Sequence, residues 1–493
     1  MLTKKHEAVE QFLKDVDEQI RYQPMHEAIN EELCWHIEDK AEMYMQYGLK
    51  EERAFEKAVL DMGEPSALGI KLNQAHHLRV AKPLLFLIFA LTFLGIVGNI
   101  TYGGFFYLFD SFYFLWGIIV LLLVTWKGYP LLVKYTNLFL KIFLIGLLIL
   151  TGFYLIPRIF NIEVMFGSFL GIYSTSVKYG VLQLSIPMLT VILYRNRRNG
   201  LRGIGIVFAY EAMMILAARF THMSDTAYVP IATMLIACTG IMLYMLLKKY
   251  MTVGEIKGTI AIILGTAVLI LLFIFSQAHG IFSNLQIFVN PHARASVTNA
   301  WDDSYNNVLI RELLSRTELF GEVQLSDEEL LRYTTSQWYY EDGEGRWNNG
   351  EDGWISLGRH VELKLRSGVD FEIEDALPQH YLNNYRISYW IIKYGIIPAL
   401  VPISLILLTQ IVMFAVALKI RNRLGKLTAL AGCMAFSVQN GFYFLGNFGF
   451  QFGSFGNLPF VSEGMVSITG TMVMAGLILS AYRFDTVVRE ERF

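Results

Sequence analysis

The chain has 493 residues, of which 54% are hydrophobic and only 17% are charged. So apolar a composition excludes an ordinary soluble globular protein and indicates a polytopic membrane protein. The formal net charge of −2 gives no overall attraction to nucleic acid, so no nucleic-acid partner is predicted. Three cysteines, none of them in the longest polar segment, provide neither a disulfide framework nor a metal knuckle.

Residues 1–78 predict a small helical domain. Apolar residues recur at helical spacing in three successive segments, which end before the long apolar runs begin. No apolar run follows Met1, so we expect no cleavable signal peptide. The segments Glu32-Leu33-Cys34-Trp35-His36-Ile37 and Met62-Gly63-Glu64-Pro65 resemble the short prefix domain found ahead of permease-like proteins in bacteria. That resemblance implies a cytoplasmic interaction module whose partner is unknown.

Ten apolar runs follow, each long enough to cross a hydrocarbon core of about 30 Å, which takes about 20 helical residues. The predicted spans are 83–102, 105–125, 131–156, 168–194, 203–220, 227–248, 258–277, 388–418, 427–446 and 464–482. Only helices satisfy the backbone in lipid at these lengths. The predicted fold is therefore all-α, with spans one to seven in residues 83–277, a large loop at 278–387, and spans eight to ten in 388–485.

Basic residues mark alternate loops of this predicted bundle. They are Lys127, Arg195, Arg197, Arg198, Arg202, Lys248, Lys249, Lys257, Lys419, Arg421, Arg423 and Lys426. Because cytoplasmic loops carry an excess of Lys and Arg, these loops are predicted to face the cytoplasm. Ten spans then place both termini in the cytoplasm of a bacterial plasma membrane, and the 278–387 loop on the outer face.

The long outer loop contains its own structural signals. Its sequence predicts a helix from Asn306 to Phe320, a second helix beginning at Ser326, and short strands between Trp354 and Val369. Connectors longer than a hundred residues are often functional. An insertion without a catalytic role is the alternative interpretation for residues 322–372.

Three ionisable residues lie within or beside the spans: Lys178, Glu211 and Asp225. A charge at the centre of a transmembrane helix costs about 2.5 to 3.5 kcal/mol on insertion scales, so each one needs a reason. The ordinary reason is a structural partner on another helix or a side chain that reaches the membrane surface. The functional reason is a site for an anionic or cationic group.

The segment Leu458-Pro459-Phe460-Val461-Ser462-Glu463-Gly464 leads directly into the last span. It resembles the Leu-Pro-Phe-x-Ser-x-Gly signature of the SEDS family, the shape, elongation, division and sporulation proteins of bacteria. The resemblance extends over most of residues 85–485 and includes Gln439, Phe288-Val289-Asn290-Pro291, Phe320-Gly321 and Leu377-Pro378. Ten spans with the largest outer loop between spans seven and eight also match the family arrangement.

The resemblance implies binding of the undecaprenyl-linked peptidoglycan precursor on the outer face, beside a class B penicillin-binding protein. Polymerisation of that precursor needs a carboxylate near the membrane surface as general base, and a cationic side chain or a divalent cation for the departing pyrophosphate. The implied substrate-binding residues are Ser174, Lys178, Asp225, Leu458, Pro459, Ser462 and Gly464.

The family's catalytic Asp is missing from this chain. Counting back from Gly395 places Asn384 at its position, whereas counting forward from Leu377 places Asn383 there. An amide cannot act as a general base at neutral pH, so Asn384 marks a vacated base position. Asp375 is the candidate substitute.

Two further departures weaken the prediction of catalysis. The segment Ser174-Thr175-Ser176-Val177-Lys178 lacks the Glu of the family motif, and Glu463 stands where the family has an aromatic residue. Besides Asp375, the nearby acids Glu372 and Glu374 and the weaker candidate His380 could supply a base.

The leading prediction is a SEDS-like cell-wall protein of division, elongation or sporulation. It is either a divergent peptidoglycan glycosyltransferase that polymerises lipid II or a catalytically lapsed scaffold. The alternative is a membrane transporter or an envelope sensor that signals through residues 1–78. Alternating-access transporters are commonly built from internal repeats, and no clear repeat is present in this sequence, which disfavours the transporter.

Overall fold

A computed structural model of the chain describes residues 6–75, 78–103, 112–160, 166–219, 228–276, 285, 289, 303–326, 340–341, 347–348, 372–378, 381–451, 457–462 and 464–486. These residues form an all-α fold, which confirms the predicted class. The described strands are the two-residue antiparallel partners β1 (Tyr340–Glu341) and β2 (Trp347–Asn348). The predicted strands at 354–369 and the predicted helix after Ser326 lie outside the described residues.

Four helices form the N-terminal part: α1 (Glu7–Asp17), α2 (His26–Gln46), α3 (Glu51–Leu60) and α4 (Pro65–Ala75). The first three were predicted, whereas α4 was missed because Pro65 was interpreted as a terminator. Proline also suits the first position of a helix, where its missing N–H costs nothing. A separate apolar core, which includes Val9, Phe12, Ile37 and Phe55, holds these helices together.

The membrane helices are α5 (Lys82–Gly103), α6 (Phe112–Phe160), α7 (Phe166–Arg195), α8 (Leu201–Arg219), α9 (Tyr228–Leu247), α10 (Glu255–Ser276), α14 (Ile396–Leu418), α15 (Arg423–Asn447) and α16 (Met465–Arg483). Among the described residues, seven helices are long and apolar enough to cross a membrane. The chain is therefore a membrane protein with many spans. Helix α6 runs through predicted spans two and three and departs from helical geometry at Tyr135. Helices α7 and α15 occupy predicted spans four and nine, and the count of ten stays a prediction.

Small residues allow α16 to pack closely against α6. A Cβ at Gly117 would lie 2.5 Å from Ile468, and a Cβ at Gly476 would lie 2.7 Å from Val124. Glycines at such contacts let transmembrane helices approach each other closely, which increases van der Waals packing. Helix α16 also packs against α7 and α15, so the last span contacts three neighbours.

Predicted span eight, 388–418, is wrong as one continuous helix. The structure has two helices here, α13 (Arg386–Tyr394) and α14, separated by Gly395 at φ 90°. A Cβ at Gly395 would lie 2.6 Å from the Cα of Phe320, so both the backbone angle and the space require glycine. The apolar pattern continues through this break, which is why the sequence read as a single span.

Helix α11 (Asp303–Ser315) ends five residues earlier than predicted. The residues that follow it use their backbone groups for the α13–α14 break instead of a helix. The amides of Ile396 and Ile397 donate to the carbonyls of Glu318 and Leu319. The first amides of a helix have no partner within it, so this segment satisfies the N-terminus of α14.

Candidate functional site

The predicted base positions lie in α12 (Tyr381–Asn384), a single turn just ahead of α13. The carbonyl of Asn383 accepts hydrogen bonds from Ser462 Oγ at 3.0 Å and from Tyr443 Oη at 2.6 Å. The carbonyl of Asn384 accepts one from Asn447 Nδ2 at 2.9 Å. Both predicted positions are therefore held by their backbones against α15 and the turn before α16.

The signature segment forms a compact turn that faces α12. The hydroxyl of Ser462 accepts from the amide of Leu458 at 3.0 Å while it donates to Asn383. Gly464 adopts φ 119° and starts α16. Pro459 lies in the same turn and, with Asn440, lines a small cavity between α14 and α15. The four predicted residues of this segment thus lie together beside the vacated base position.

The side chain of Arg386 ties these parts together, and sequence reasoning missed it. Its guanidinium is buried and donates to the carbonyl of Val461 at 3.0 Å, to Asn99 Oδ1 at 2.7 Å and to the carbonyl of Leu382. A buried charge is stable only where its donors are satisfied. The signal for it was available, since Arg386 is a lone cation immediately before an apolar stretch.

Asn447 is a second positioning residue that the sequence did not reveal. Its Oδ1 accepts from the amides of Ile387 and Ser388, each at 3.0 Å. The hydroxyl of Ser388 donates in return to the carbonyl of Asn447 at 2.6 Å. A side chain from α15 therefore caps the N-terminus of α13, and this fixes the direction in which α13 leaves the site.

Gln439, part of the family resemblance, connects α7 to the signature turn. It accepts from Gln183 Nε2 at 2.8 Å and donates to the carbonyl of Asn457 at 2.8 Å. Helix α7 also carries Ser174 and Lys178, whose side chains lie outside the described residues, as do Asp225 and Glu463. The predicted phosphate-binding residues are therefore not located relative to the turn and stay predictions.

The acidic candidates near the site have different surroundings. Glu374 lies 3.0 Å from the ammonium of Lys393 and accepts from Tyr389 Oη at 3.2 Å. Lys393 also pairs with Glu322 at 2.9 Å. Burial by itself lowers the pKa of Lys393, but its hydrogen bonds and ion pairs with the two carboxylates outweigh burial and raise that pKa. Glu374 therefore belongs to a structural ion pair.

Asp375, the predicted substitute base, lies on the 3₁₀ turn Ile373–Ala376, and its side chain is outside the described part of the chain. His380 and Asp370 also lie outside it. In the residues described, no group of three His, Cys, Asp or Glu side chains could hold a metal ion. Because Asp225 is not among them, the divalent cation stays a prediction.

Comparison with known proteins gives little beyond this. No protein-family model matches the chain, and no curated protein matches it either. Among solved structures, the chain is similar to one from a peptidoglycan synthase complex described for its coordination of polymerization and crosslinking. The two are 15% identical, the match covers 83% of this chain and 98% of the other, and the TM-score is 0.47. Similarity of this degree decides neither the family nor the activity.

Proposed function

We propose that the chain is a SEDS-like cell-wall protein that binds the undecaprenyl-linked peptidoglycan precursor and has lost general-base catalysis. The observation that supports this is the hydrogen bond from Ser462 to Asn383, which joins the signature turn to the position where the family carries its carboxylate. The binding framework is present, and the residue that would activate a sugar hydroxyl is an amide.

The surrounding chemistry supports a binding protein more than a polymerase. A general base must take a proton at neutral pH, and neither Asn383 nor Asn384 can do so. Glu374 is held between Lys393 and Tyr389 and does not offer a free carboxylate. In this proposal Lys178 contacts phosphate, and Asp225 positions span four or a cation.

The partners follow from the same proposal. A class B penicillin-binding protein would cross-link glycan at the outer face, and the chain would present or hold precursor beside it. Division, elongation and sporulation all use such an arrangement, and the proposal covers each of them. The N-terminal helices would contact a separate cytoplasmic partner.

Binding and polymerisation of lipid-linked disaccharide-pentapeptide test this proposal directly. The purified full chain is expected to bind the precursor and to make no glycan, alone or with a class B penicillin-binding protein. The variant Asn384→Asp is expected to gain polymerase activity, and Asn383→Asp serves as its matched control. Glycan from the unmodified chain would instead identify a divergent glycosyltransferase. Absence of precursor binding would overturn the proposal.

An envelope sensor is the second candidate, and one contact favours it. The ring of Tyr22, between α1 and α2, lies 6.3 Å from that of Phe484 at the end of α16, the helix that begins at the signature turn. A signal at the turn could therefore reach the N-terminal helices along one helix. Hydrogen exchange in residues 6–75, with and without precursor, tests this. Unchanged exchange would leave the scaffold as the better proposal.

A further inference from the structure

A cationic cavity lies at the opposite end of the bundle from the signature turn. It has a volume of about 660 Å³, and it opens where α5 begins and where α14 and α16 end. Its lining includes Arg79, Lys82, Lys419, Arg421 and Tyr482. These residues come from three distant segments of the chain, so the fold assembles the cavity.

Most of this positive charge is not neutralised by the nearby carboxylate. Asp485 is buried, and its oxygens accept from Arg79 Nη1 at 2.9 Å and from the amides of Arg421 and Asn422 at 2.6 and 2.8 Å. The side chains of Lys82, Lys419 and Arg421 are exposed. Among the described residues, no carboxylate lies within ion-pairing distance of these three.

The surroundings of the cavity match the boundary of a membrane. Lys82 is the first residue of α5, and Lys419 directly follows α14. Apolar side chains border them, since Val80 is 51% exposed and Leu418 is 56% exposed. Cations beside exposed apolar groups at the ends of spans suit an amphiphilic anion better than a free one.

We propose that this cavity, hereafter the cationic cavity, binds the phosphate group of an anionic membrane lipid. The three cations would contact the phosphate oxygens, while Val80 and Leu418 lie against the glycerol backbone and acyl chains. Arginine and lysine are the side chains that bind phosphate oxygens. The site is independent of the precursor site, which lies beyond the other end of the spans.

The cavity also adjoins the N-terminal helices. The amide of Arg79 donates to the carbonyl of Arg483 at 3.2 Å, and Phe484 contacts Tyr22 one residue further on. A lipid bound here would therefore lie against the linker between α4 and α5. Its phosphate would stabilise the linker where Arg79 is already fixed by Asp485.

Lipid titration of the purified full chain, followed by native mass spectrometry, tests the proposal. Phosphatidylglycerol is the anionic probe and phosphatidylcholine the neutral one. The variant Lys82→Gln/Lys419→Gln/Arg421→Gln is expected to lose affinity for phosphatidylglycerol by about tenfold or more, because each cation near the surface contributes to anionic lipid binding. The matched control Arg202→Gln/Lys248→Gln/Lys257→Gln removes three exposed cations predicted to lie on the same membrane face and is expected to keep it.

Each other outcome has a definite meaning. Equal loss in both triple variants would show general surface attraction and would overturn the cavity. The single variant Lys419→Gln, which removes one exposed side chain, is expected to lose affinity partially, and an unchanged affinity would count against the proposal. Competition by glycerol phosphate at concentrations similar to those of the lipid would support the phosphate site but identify a soluble ligand. Failure of all phosphate probes to bind would overturn it.

Discussion

The two ends of the bundle each contain a buried charge, and the two charges are stabilised in different ways. Near the signature turn, Arg386 donates to backbone carbonyls and to the amide oxygen of Asn99. At the opposite end, Asp485 accepts from Arg79 and from two backbone amides. A cation held by neutral acceptors and an anion held by a cation both connect distant segments, but only the second includes a charge pair in these contacts.

This difference bears on function. Neutral acceptors around Arg386 leave its positive charge in place beside α12, so the vacated base position lies next to a fixed cation. The Arg79–Asp485 pair cancels charge at the other end and leaves the exposed Lys82, Lys419 and Arg421 as the source of the local field. Each end therefore favours an anion, by a different route.

Replacement of Arg386 should have the largest effect. Arg386→Met removes donors from three acceptors, and each buried group left without a partner costs about 1–3 kcal/mol. We expect the free energy of unfolding to fall by about 3 kcal/mol or more. Because Cys34, Cys238 and Cys433 are free and buried, a thiol-reactive dye reports unfolding.

The exposed Arg202→Met is the control for this variant, and it is expected to unfold like the unmodified chain. If Arg386→Met unfolded at the same temperature as Arg202→Met, the guanidinium would not hold the site together. The fixed cation beside α12 would then lose its support.

Asp485→Asn should have the next largest effect, because it keeps an acceptor for the two amides and loses only the charge. Hydrogen bonds to charged groups contribute about 1.5–3 kcal/mol, so a loss of about 2 kcal/mol is expected in the same assay. The double variant Arg79→Gln/Asp485→Asn should cost less than the two single losses added together. Additive losses would show that the pair does not act as a unit.

A close helix approach near Arg386 provides a third, smaller effect. A Cβ at Gly95 would lie 2.7 Å from the carbonyl of Val461, which also accepts from Arg386. Gly95→Ala should push the signature turn away from α5 and cost about 1–2 kcal/mol, as overpacking typically does. Gly146→Ala is the matched control, because no atom lies within 4 Å of the Cβ position there. Equal stability of the two variants would contradict the close approach.

The sequence predicted the fold better than it predicted the site, and the reason is physical. Apolar runs of span length depend on local composition, so helices α5 to α10 agree with their predicted ranges to within a few residues wherever they are described. The break at Gly395 was missed because the apolar pattern runs through it. The contact that demands glycine there comes from Phe320, 75 residues earlier.

The site depended on contacts that no local pattern encodes. The signature segment predicted Leu458, Pro459, Ser462 and Gly464 together, and the structure places all four beside α12. Arg386 and Asn447 were missed because their roles rest on partners up to 287 residues away. Reading Arg386 as a charge that needs acceptors would have identified it from the sequence.

The smallest expected effect concerns the Lys393 ion pairs, which lie on the signature-turn side of the comparison. The pKa of Lys393 is raised in the folded chain, so its contribution is fully present below the unfolded value of 10.5 and is lost as the pH rises through the folded value. Lys393→Met should therefore lower stability by about 1 kcal/mol at neutral pH. The difference from the unmodified chain should shrink only above pH 10.5.

The exposed Lys257→Met is the control for this variant, with no comparable loss expected at any pH. A difference that disappeared in the acidic range instead would point to Glu322 and Glu374 as the titrating groups. Thermal unfolding measured from neutral to strongly alkaline pH separates these outcomes. If Glu374 is freed rather than merely destabilised by Lys393→Met, the same variant should be assayed for glycan synthesis, because an unpaired carboxylate would then lie a few residues from the vacated base position.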